Sequence, residues 1–267
     1  MNVKRVLFIN QGITPYIPES PMAKAGRELP QTIQESGREI RTFLPQWGCI
    51  NERRNQLHEV IRLSGMNIII DGNDHPLIIK VASLQPARMQ VYFIDNDDYF
   101  DKRGMECDEA GNEYEDNGER AIFYARGVLE TVKKRPDVIH CQGWISAVAP
   151  LYIKTAFKDE LSFDGTKVVF EINDVKLKNN LPENFNSCLA TRNVTKTFLK
   201  KENLKFENAD DLLKLGIKFS DALILGTNEP NKEVVDYAES EGKPVLPFVE
   251  NPDYASYYGD FYEKLLS

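Results

Sequence analysis

The sequence has few of the residues from which metal sites and disulfide frameworks are built. Only four cysteines and three histidines occur in 267 residues. Cys49, Cys107, Cys141 and Cys188 are widely separated, and no two of them have the CxxC spacing of a zinc or redox motif. Residues 226–228 lie between a predicted strand and a predicted helix but lack the GxGxxG pattern of a dinucleotide site. We therefore expect free thiols, no metal and no cofactor, and the sequence leaves the reactivity of Cys141 open.

Long apolar runs and an excess of positive charge are missing as well. No segment approaches the roughly 20 apolar residues that cross a bilayer, and the apolar stretch at residues 6–9 is too short for a signal peptide. The formal net charge is −8, whereas nucleic acids and anionic membranes are bound by basic surfaces. These features predict a cytoplasmic protein that binds neither nucleic acid nor membrane.

Short apolar runs alternate with helical segments along most of the chain. Residues 3–10 have the near-continuous apolar composition of a buried parallel strand, and residues 138–141 and 167–172 are also interpreted as buried strands. Residues 38–45, with apolar positions at Ile40, Phe43 and Leu44, and residues 222–226 are predicted to be strands as well. Helices are predicted over residues 22–36, 117–134, 145–155, 209–217, 231–241 and 253–266. This alternation predicts an α/β protein with a Rossmann-like, doubly wound, mostly parallel sheet. Pro247 cannot donate to a ladder, which makes residues 245–248 an edge strand.

Several segments depart from this alternation. Residues 51–95 contain strand-like runs at 57–63, 66–70, 77–82 and 89–94, separated by turn sequences, which predicts a small antiparallel excursion. Residues 95–117 are polar and acidic and are expected to form a long exposed loop. Pro30 should kink or split the first helix because it has no N–H to donate, and Gly37 is a suitable C-terminal cap. Residues 173–210 read as a mostly polar insertion with scattered helical character.

The turn after residues 138–141 is the predicted centre of the functional site. In open α/β sheets, ligand-binding groups lie at the carboxyl ends of strands. The chain reads His-Cys-Gln-Gly-Trp from His140 to Trp144 at this turn. We interpret His140 as a buried, hydrogen-bonded strand residue. The residues that follow are expected to form an amphipathic helix.

Six segments of the chain can be compared, in sequence order, with the motifs of a known family. Residues 36–45 read SGREIRTFLP, 91–96 VYFIDN, 114–120 YEDNGER, 136–154 PDVIHCQGWISAVAPLYIK, 167–173 KVVFEIN and 213–223 LKLGIKFSDAL. They resemble the GHEVRVVLP, VYFLDN, YADNAERF, PDIVHAHDWQTALVPLYLK, KTVFTIHN and LKAGIxxADxV segments of the N-terminal catalytic domain of bacterial glycogen synthases and plant starch synthases. The resemblance covers nearly the whole chain.

This resemblance implies a fold, an activity and a set of site residues. The fold is one half of a GT-B glycosyltransferase, with residues 1–267 forming the N-terminal Rossmann-like domain and the helix at 253–266 packing back onto it. The activity is transfer of glucose from ADP-glucose to an α-1,4-glucan. The positions that match the family's substrate-binding segments are Lys24, Gly26, Asn117, Arg120, Gln142, Trp144 and Asn173.

The chain also departs from the family pattern where catalysis is concerned. The Lys-x-Gly-Gly loop becomes Lys24-Ala25-Gly26-Arg27, and the Arg27 side chain would obstruct close backbone approach. Lys24 then either contacts a phosphate or is a solvated lysine at the start of a helix. Of the His-x-His-Asp-Trp motif, the second His is Gln142 and the Asp is Gly143. Glutamine can hydrogen-bond a hydroxyl but cannot serve as an acid or base, and Trp144 either packs beneath the turn or offers its ring to a sugar.

A family histidine is also replaced by Asn173, and the second domain of the GT-B fold, which supplies most of the nucleotide pocket, has no counterpart. Two interpretations follow. In the first, the chain is a glucosyltransferase component, inactive alone and completed in trans by a second copy or another protein. In the second, it is a non-catalytic glucan-binding or regulatory subunit, with the aromatic helix at 253–266 covering the exposed surface of a finished protein. The nucleotide sugar, glucan and partner cannot be read from the sequence.

Overall fold

The computed structural model describes residues 3–175 and 177–267, and its framework is a mixed β-sheet. The strands are β1 (Arg5–Ile9), β2 (Glu39–Pro45), β3 (His58–Glu59), β4 (Met66–Ile70), β5 (Asn73–Leu84), β6 (Met89–Asp95), β7 (Val138–Gln142), β8 (Lys167–Ile172), β9 (Ala222–Leu225) and β10 (Val245–Leu246). The helices are α1 (Pro21–Glu35), α2 (Asn117–Thr131), α3 (Ala149–Lys154), α4 (Phe185–Cys188), α5 (Lys196–Lys201), α6 (Ala209–Phe219), α7 (Lys232–Ser240) and α8 (Tyr254–Leu266). The α/β class is confirmed.

Strand order in the described part of the chain is β10-β9-β8-β7-β1-β2-β6-β5-β3, with β4 paired to β5. In the series β10-β9-β8-β7-β1-β2-β6 each strand is parallel to the next, and β1 lies between β2 and β7. This is the predicted doubly wound arrangement, and β10 lies at the predicted edge. The antiparallel excursion is also confirmed, because β5 runs antiparallel to β3, β4 and β6. Of the run at 57–63, only His58–Glu59 is a strand.

Helix α1 continues through Pro30, so the prediction that Pro30 would kink or split it was wrong. The residue four positions earlier, Gly26, has a carbonyl that receives no helical N–H because proline has none. The side-chain amide of Asn10 donates to this carbonyl instead, at 3.2 Å. One side chain beyond the end of β1 thus compensates for the missing backbone donor. Gly37 follows the C-cap Ser36 with a φ of +90°, as its predicted capping position requires.

The segment after β7 is not the single amphipathic helix expected at residues 145–155. A 3-10 turn (Trp144–Ser146) is followed by the short α3, and both are buried except for the half-buried Lys154 at the end of α3. They pack between α2 and α6. Because the segment has no solvent-facing side, its helical periodicity does not separate apolar from polar residues.

The acidic segment between β6 and α2 is less exposed than its composition predicts. Tyr99 and Phe100 are buried in the core, and Asp95 pairs with Lys80 at 2.7 Å. The prediction of an exposed loop was therefore wrong for its first part, where aromatic residues anchor it. Helix α2 ends at Thr131, three residues before its predicted end at residue 134.

The sheet separates two hydrophobic clusters. The larger contains Ile139 and Phe170 together with residues of α2, α3 and α6. The smaller contains Phe8, Val138 and Val169 together with residues of α1 and α8. Helix α8 therefore packs on the same face as α1. None of the helices that the structure describes has the length and apolar character of a membrane span.

Candidate functional site

The candidate site lies at the carboxyl ends of β1, β7 and β8, on the face that carries α1 and α8. Side chains alternate along a strand, so His140 and Gln142 of β7 point to this face while Ile139 and Cys141 point to the other. Glu171 of β8 is paired in register with Gln142. Strand pairing thus brings two separated sequence motifs together at one edge of the sheet.

Glu171 is the centre of a buried hydrogen-bond network. Its Oε2 atom lies 3.1 Å from Nε2 of His140. Its Oε1 atom accepts hydrogen bonds from the side-chain amides of Gln142 at 3.2 Å and Asn173 at 2.9 Å. The exposed fractions are 2% for Glu171, 1% for His140 and for Gln142, and 8% for Asn173. The carboxylate therefore has three partners in place of water, as a buried charge requires.

The charge of Glu171 is maintained by these partners. Burial opposes ionisation, but the hydrogen bonds from His140, Asn173 and Gln142 and the interaction with the imidazole outweigh it, so the pKa of the Glu171 carboxyl lies below its ordinary value of 4.5. A carboxylate can only accept hydrogen bonds. Nε2 of His140 consequently carries a proton, and its Nδ1 atom is hydrogen-bonded to the Tyr262 hydroxyl at 2.6 Å.

Two tyrosines of α8 cover this network. Tyr262 makes the hydrogen bond to His140, and the Tyr258 ring stacks on the imidazole with centroids 5.9 Å apart and an interplanar angle of 12°. Burial, followed by the negative charge of Glu171, raises the pKa of both phenols. They remain neutral hydroxyls. His140 is therefore a buried, hydrogen-bonded strand residue, as its sequence position predicted.

The glycines around the network bring backbone close to it. Gly143 has a φ of +77°, and a side chain there would collide with Gln11. A Cβ atom at Gly226 would lie 2.7 Å from Oε1 of Glu171, and one at Gly26 would lie 3.3 Å from Oε1 of Gln142. The severe clash of a Cβ atom at Gly26 would be with the backbone oxygen of Gly12, at 2.0 Å. The family-like glycine at 26 is thus needed for helix α1 to lie against the loop after β1.

Several polar atoms at this edge of the sheet have no hydrogen-bond partner among the described residues. They include the amide oxygens of Gln11, Gln142 and Asn173 and the indole nitrogen of Trp144. Buried polar atoms are nearly always paired with protein, water or ligand. These four atoms therefore have hydrogen-bonding capacity that no described residue uses.

Lys24 lies outside the network, on the exposed side of α1. Its Nζ atom is 3.7 Å from Glu28, one helical turn away. It lines a cavity of about 700 Å³ between α1, the loop after β1 and the start of α8, together with Arg27 and Tyr254. The lysine is solvated at the start of a helix and also borders a cavity, so the structure leaves both of its predicted roles open.

Asn117 and Arg120 have a clear structural task. The buried Arg120 guanidinium donates to the backbone carbonyls of Gly104 and Met105 and to the side chain of Asn117. Asn117 in turn donates to the carbonyl of Glu106. Burial lowers the pKa of Arg120 to about 10. The two side chains hold residues 104–106, and their predicted contact with substrate stays a prediction.

Trp144 is 1% exposed and packs near Trp47, with ring centroids 6.4 Å apart. Of the two roles left open for it, packing beneath the turn is the one that the structure shows. Cys141 is buried on the opposite face of β7, and burial raises the pKa of its thiol. A thiol in that environment is expected to be a poor nucleophile.

The structure brings Gly26, His140, Gln142 and Asn173 together and leaves Lys24, Asn117 and Arg120 outside the network. Sequence analysis missed Glu171, which connects the others. A signal was available, because Glu171 is an acidic residue inside an otherwise apolar strand, and buried carboxylates are rare unless they are paired.

Comparison with known proteins identifies the family to which this chain is similar. The family model of the starch synthase catalytic domain matches residues 5–244. A glycogen synthase from Chlorobium luteolum is 35% identical over 182 residues, which cover 67% of this chain and 37% of the relative. A glycogen synthase from Chlorobaculum tepidum is 30% identical over 246 residues, which cover 88% of this chain and 48% of the relative. The chain thus spans less than half the length of these relatives.

A solved structure supports the fold. The catalytic domain of starch synthase IV from Arabidopsis thaliana, bound to ADP and acarbose, has a TM-score of 0.71 and 16% sequence identity. The match covers 96% of this chain and 53% of the plant chain. This confirms the predicted correspondence with one half of a GT-B glycosyltransferase. On the family match over residues 5–244, the chain belongs to the starch synthase catalytic-domain family.

Proposed function

We propose that this protein works in α-glucan metabolism, as a component that transfers glucosyl units from a nucleotide sugar of the ADP-glucose type to an α-1,4-glucan. The observation that carries the proposal is the family match, which extends over residues 5–244 without being confined to one motif. The two substrates, the nucleotide sugar and the glucan, are inferred from the family. The same proposal assigns the protein to the cytoplasm.

The chemistry of the site supports binding and positioning by this chain. Gln142 and Asn173 carry neutral amide groups suited to hydroxyls. Neither can transfer a proton at neutral pH, and both nitrogens of His140 are already engaged. The groups that neutralise a leaving diphosphate are therefore expected from elsewhere, since charge stabilisation is the main catalytic requirement of such a transfer.

Completion of the site in trans is part of the proposal. More than half the length of the matched glycogen synthases has no counterpart in these residues. We propose that the remaining groups of the site face the carboxyl edge of the sheet near Lys24 and Gln142, supplied by another copy of this chain, by a different protein or by further residues of the same polypeptide. This predicts little or no glucosyl transfer by the chain alone.

Calorimetric titration of the purified chain with maltoheptaose and, separately, with ADP-glucose tests the proposal. Saturable binding of the glucan is expected, and binding of ADP-glucose would show that a donor site exists in this chain. Binding of the glucan alone, together with no glucosyl transfer when the C-terminal half of a glycogen synthase is added, would favour a non-catalytic glucan-binding subunit. Absence of both binding events would overturn the proposal.

A further inference from the structure

A second polar cluster lies away from the candidate site, near the beginning of β5. His75 belongs to β5 and is paired with Ile68 of β4. Its ring packs against Tyr99, in the loop after β6, and against Phe123 of α2. Only 13% of the His75 side chain is exposed. The imidazole therefore lies where the antiparallel excursion meets a loop and a helix that are distant in the sequence.

Three polar contacts form a line through this cluster. Nδ1 of His75 is 3.3 Å from Oδ2 of Asp98, and Nε2 is 3.1 Å from the Tyr99 hydroxyl. The same hydroxyl donates to Oε2 of Glu119, in the first turn of α2, at 3.0 Å. The line thus has a carboxylate at each end, with an imidazole and a phenol between them.

These contacts need more protons than the neutral side chains supply. A carboxylate at neutral pH only accepts, a tyrosine hydroxyl has one proton, and a neutral imidazole has one proton. Burial, followed by the charge of Glu119, raises the pKa of Tyr99, so the phenol remains protonated. Two protons cannot make three hydrogen bonds. An imidazolium, which has a proton on each nitrogen, satisfies all three contacts.

When the imidazole is neutral, the contact with Asp98 is the easiest one to lose. The Asp98 side chain is 67% exposed, so water can solvate its carboxylate. Glu119 is less exposed and faces the buried Tyr99. The single imidazole proton is therefore expected on Nε2, toward Tyr99. A lone pair of Nδ1 then faces the Asp98 carboxylate, and the two repel each other.

The charged groups around the cluster are mostly acidic. They come from the turn before β5, the loop after β6 and the start of α2, and they are Asp71, Asp98, Asp116 and Glu119. Arg103 is also close, but its guanidinium is paired with Asp116. Helix α4 contributes Cys188, and burial raises the pKa of its thiol to about 12, which leaves it neutral. An imidazolium at His75 thus lies among carboxylates, next to a cation that already has a partner.

We propose that His75 is a pH-sensitive clamp, which fastens the loop after β6 to β5 when the imidazole is protonated and releases Asp98 when it is neutral. The same loop continues to residues 104–106, which Asn117 and Arg120 hold. Glu106 of this loop lies 3.5 Å from the side-chain amide of Gln11, beyond the carboxyl end of β1. The inference is independent of the proposed function, because it concerns the order of a loop and involves no ligand.

Thermal denaturation of the full chain tests this inference between about pH 5.5 and about pH 8.5, the range in which an ordinary imidazole loses its proton. The advantage in melting temperature of wild type over His75→Gln should be larger at the acidic end than at the alkaline end, by about 2 °C. His58→Gln, at an exposed histidine of β3, is the matched control and should differ from wild type by the same amount throughout. An advantage over His75→Gln that does not change with pH would overturn the inference.

Asp98→Asn distinguishes the clamp from a histidine that is only structural. An amide can accept from an imidazolium or donate to a neutral imidazole, so its contact with Nδ1 does not depend on protonation. We expect this variant to lose the pH-dependent part of the stability although His75 is intact. Asp97→Asn, at the neighbouring exposed aspartate, should retain it. Full pH dependence in Asp98→Asn would contradict the proposed contact.

Hydrogen exchange locates the effect. The amides of Tyr99 and Phe100 are bonded to Asn96 within the loop. Their protection factors in wild type should fall about fivefold from the acidic to the alkaline end, and they should stay constant in Asp98→Asn. An equal fall in the protection of the central strands would indicate global destabilisation, and the clamp would then be rejected.

Discussion

The two faces of the sheet can be compared along the same strands. On the face covered by α2, α3 and α6, β7 and β8 present Ile139, Cys141 and Phe170, which are buried among apolar side chains. On the face covered by α1 and α8, the same strands present Val138 and Val169. They end in His140, Gln142 and Glu171 of the polar network.

The difference shows where this fold separates stability from function. The first face has apolar side chains along the full strands, so its contribution to folding comes from burial and packing. The second face is apolar only toward the amino ends of its strands, and its polar groups are concentrated at the carboxyl ends, where α/β proteins bind ligands. Substitutions on the two faces should therefore differ in size and in what they change.

The largest effect is expected on the apolar face. Phe170→Ala removes a fully buried ring that packs against Gly216 of α6. The lost burial and the remaining cavity should lower the free energy of unfolding by about 3–5 kcal/mol. Urea denaturation measures this change, with Leu161→Ala, at an exposed leucine, as the control. A change below about 1 kcal/mol would contradict the comparison.

On the polar face, Glu171→Gln should have a smaller, pH-dependent effect. Hydrogen bonds to charged groups contribute about 1.5–3 kcal/mol, so a loss of about 2–3 kcal/mol is expected at pH 7. Because the folded-state pKa is below 4.5, the contribution of the carboxylate is present above that pH and is lost as the pH falls through the folded-state pKa. Denaturation of wild type and variant at several pH values measures the difference, which should shrink in acid. A constant difference would contradict this account.

Asn10→Ala tests a polar residue on the same face of the sheet whose side chain stabilises helix α1. It leaves the Gly26 carbonyl without a donor, and a loss of about 1–2 kcal/mol is expected. In a Pro30→Ala background the helix supplies its own N–H, so the same substitution should cost much less. Urea denaturation of the four proteins of this cycle measures the coupling. Equal losses of unfolding free energy in both backgrounds would show that Asn10 does not compensate for the missing N–H of Pro30.

The smallest effect is expected at the contact between α8 and the network. Tyr262→Phe removes the hydroxyl that is hydrogen-bonded to Nδ1 of His140, which should lower the free energy of unfolding by about 1 kcal/mol. Tyr257→Phe on the same helix, at an exposed tyrosine, is the matched control. Thermal denaturation compares the two, and an equal shift in both would show that the buried hydroxyl contributes nothing particular.

The same comparison explains how much the sequence could predict. Most strands of the parallel sheet were predicted because apolar runs are typical of strands buried on both faces. The order of motifs also identified the family and the edge of the sheet at which His140 and Gln142 meet. Helical periodicity failed at residues 145–155, because a segment buried on all sides has no polar face to define its period.

What sequence analysis could not supply were contacts between distant residues. Glu171 is only two residues from Asn173, but its role depends on the register between β7 and β8, which no local pattern encodes. The link between Tyr262 and His140 spans 122 residues. Pro30 was misjudged for the same reason, since its compensating donor, Asn10, lies on a different element.

The contact between Asn10 and Gly26 also constrains the order in which this sequence can change. While residue 30 is proline, any replacement at position 10 that lacks a donor leaves a buried carbonyl unpaired. Once Pro30 is replaced, the helix closes its own hydrogen bond and position 10 is free to vary. Among descendants of this sequence, loss of the proline should therefore precede loss of the asparagine, so that the two positions change in a fixed order although they belong to different elements.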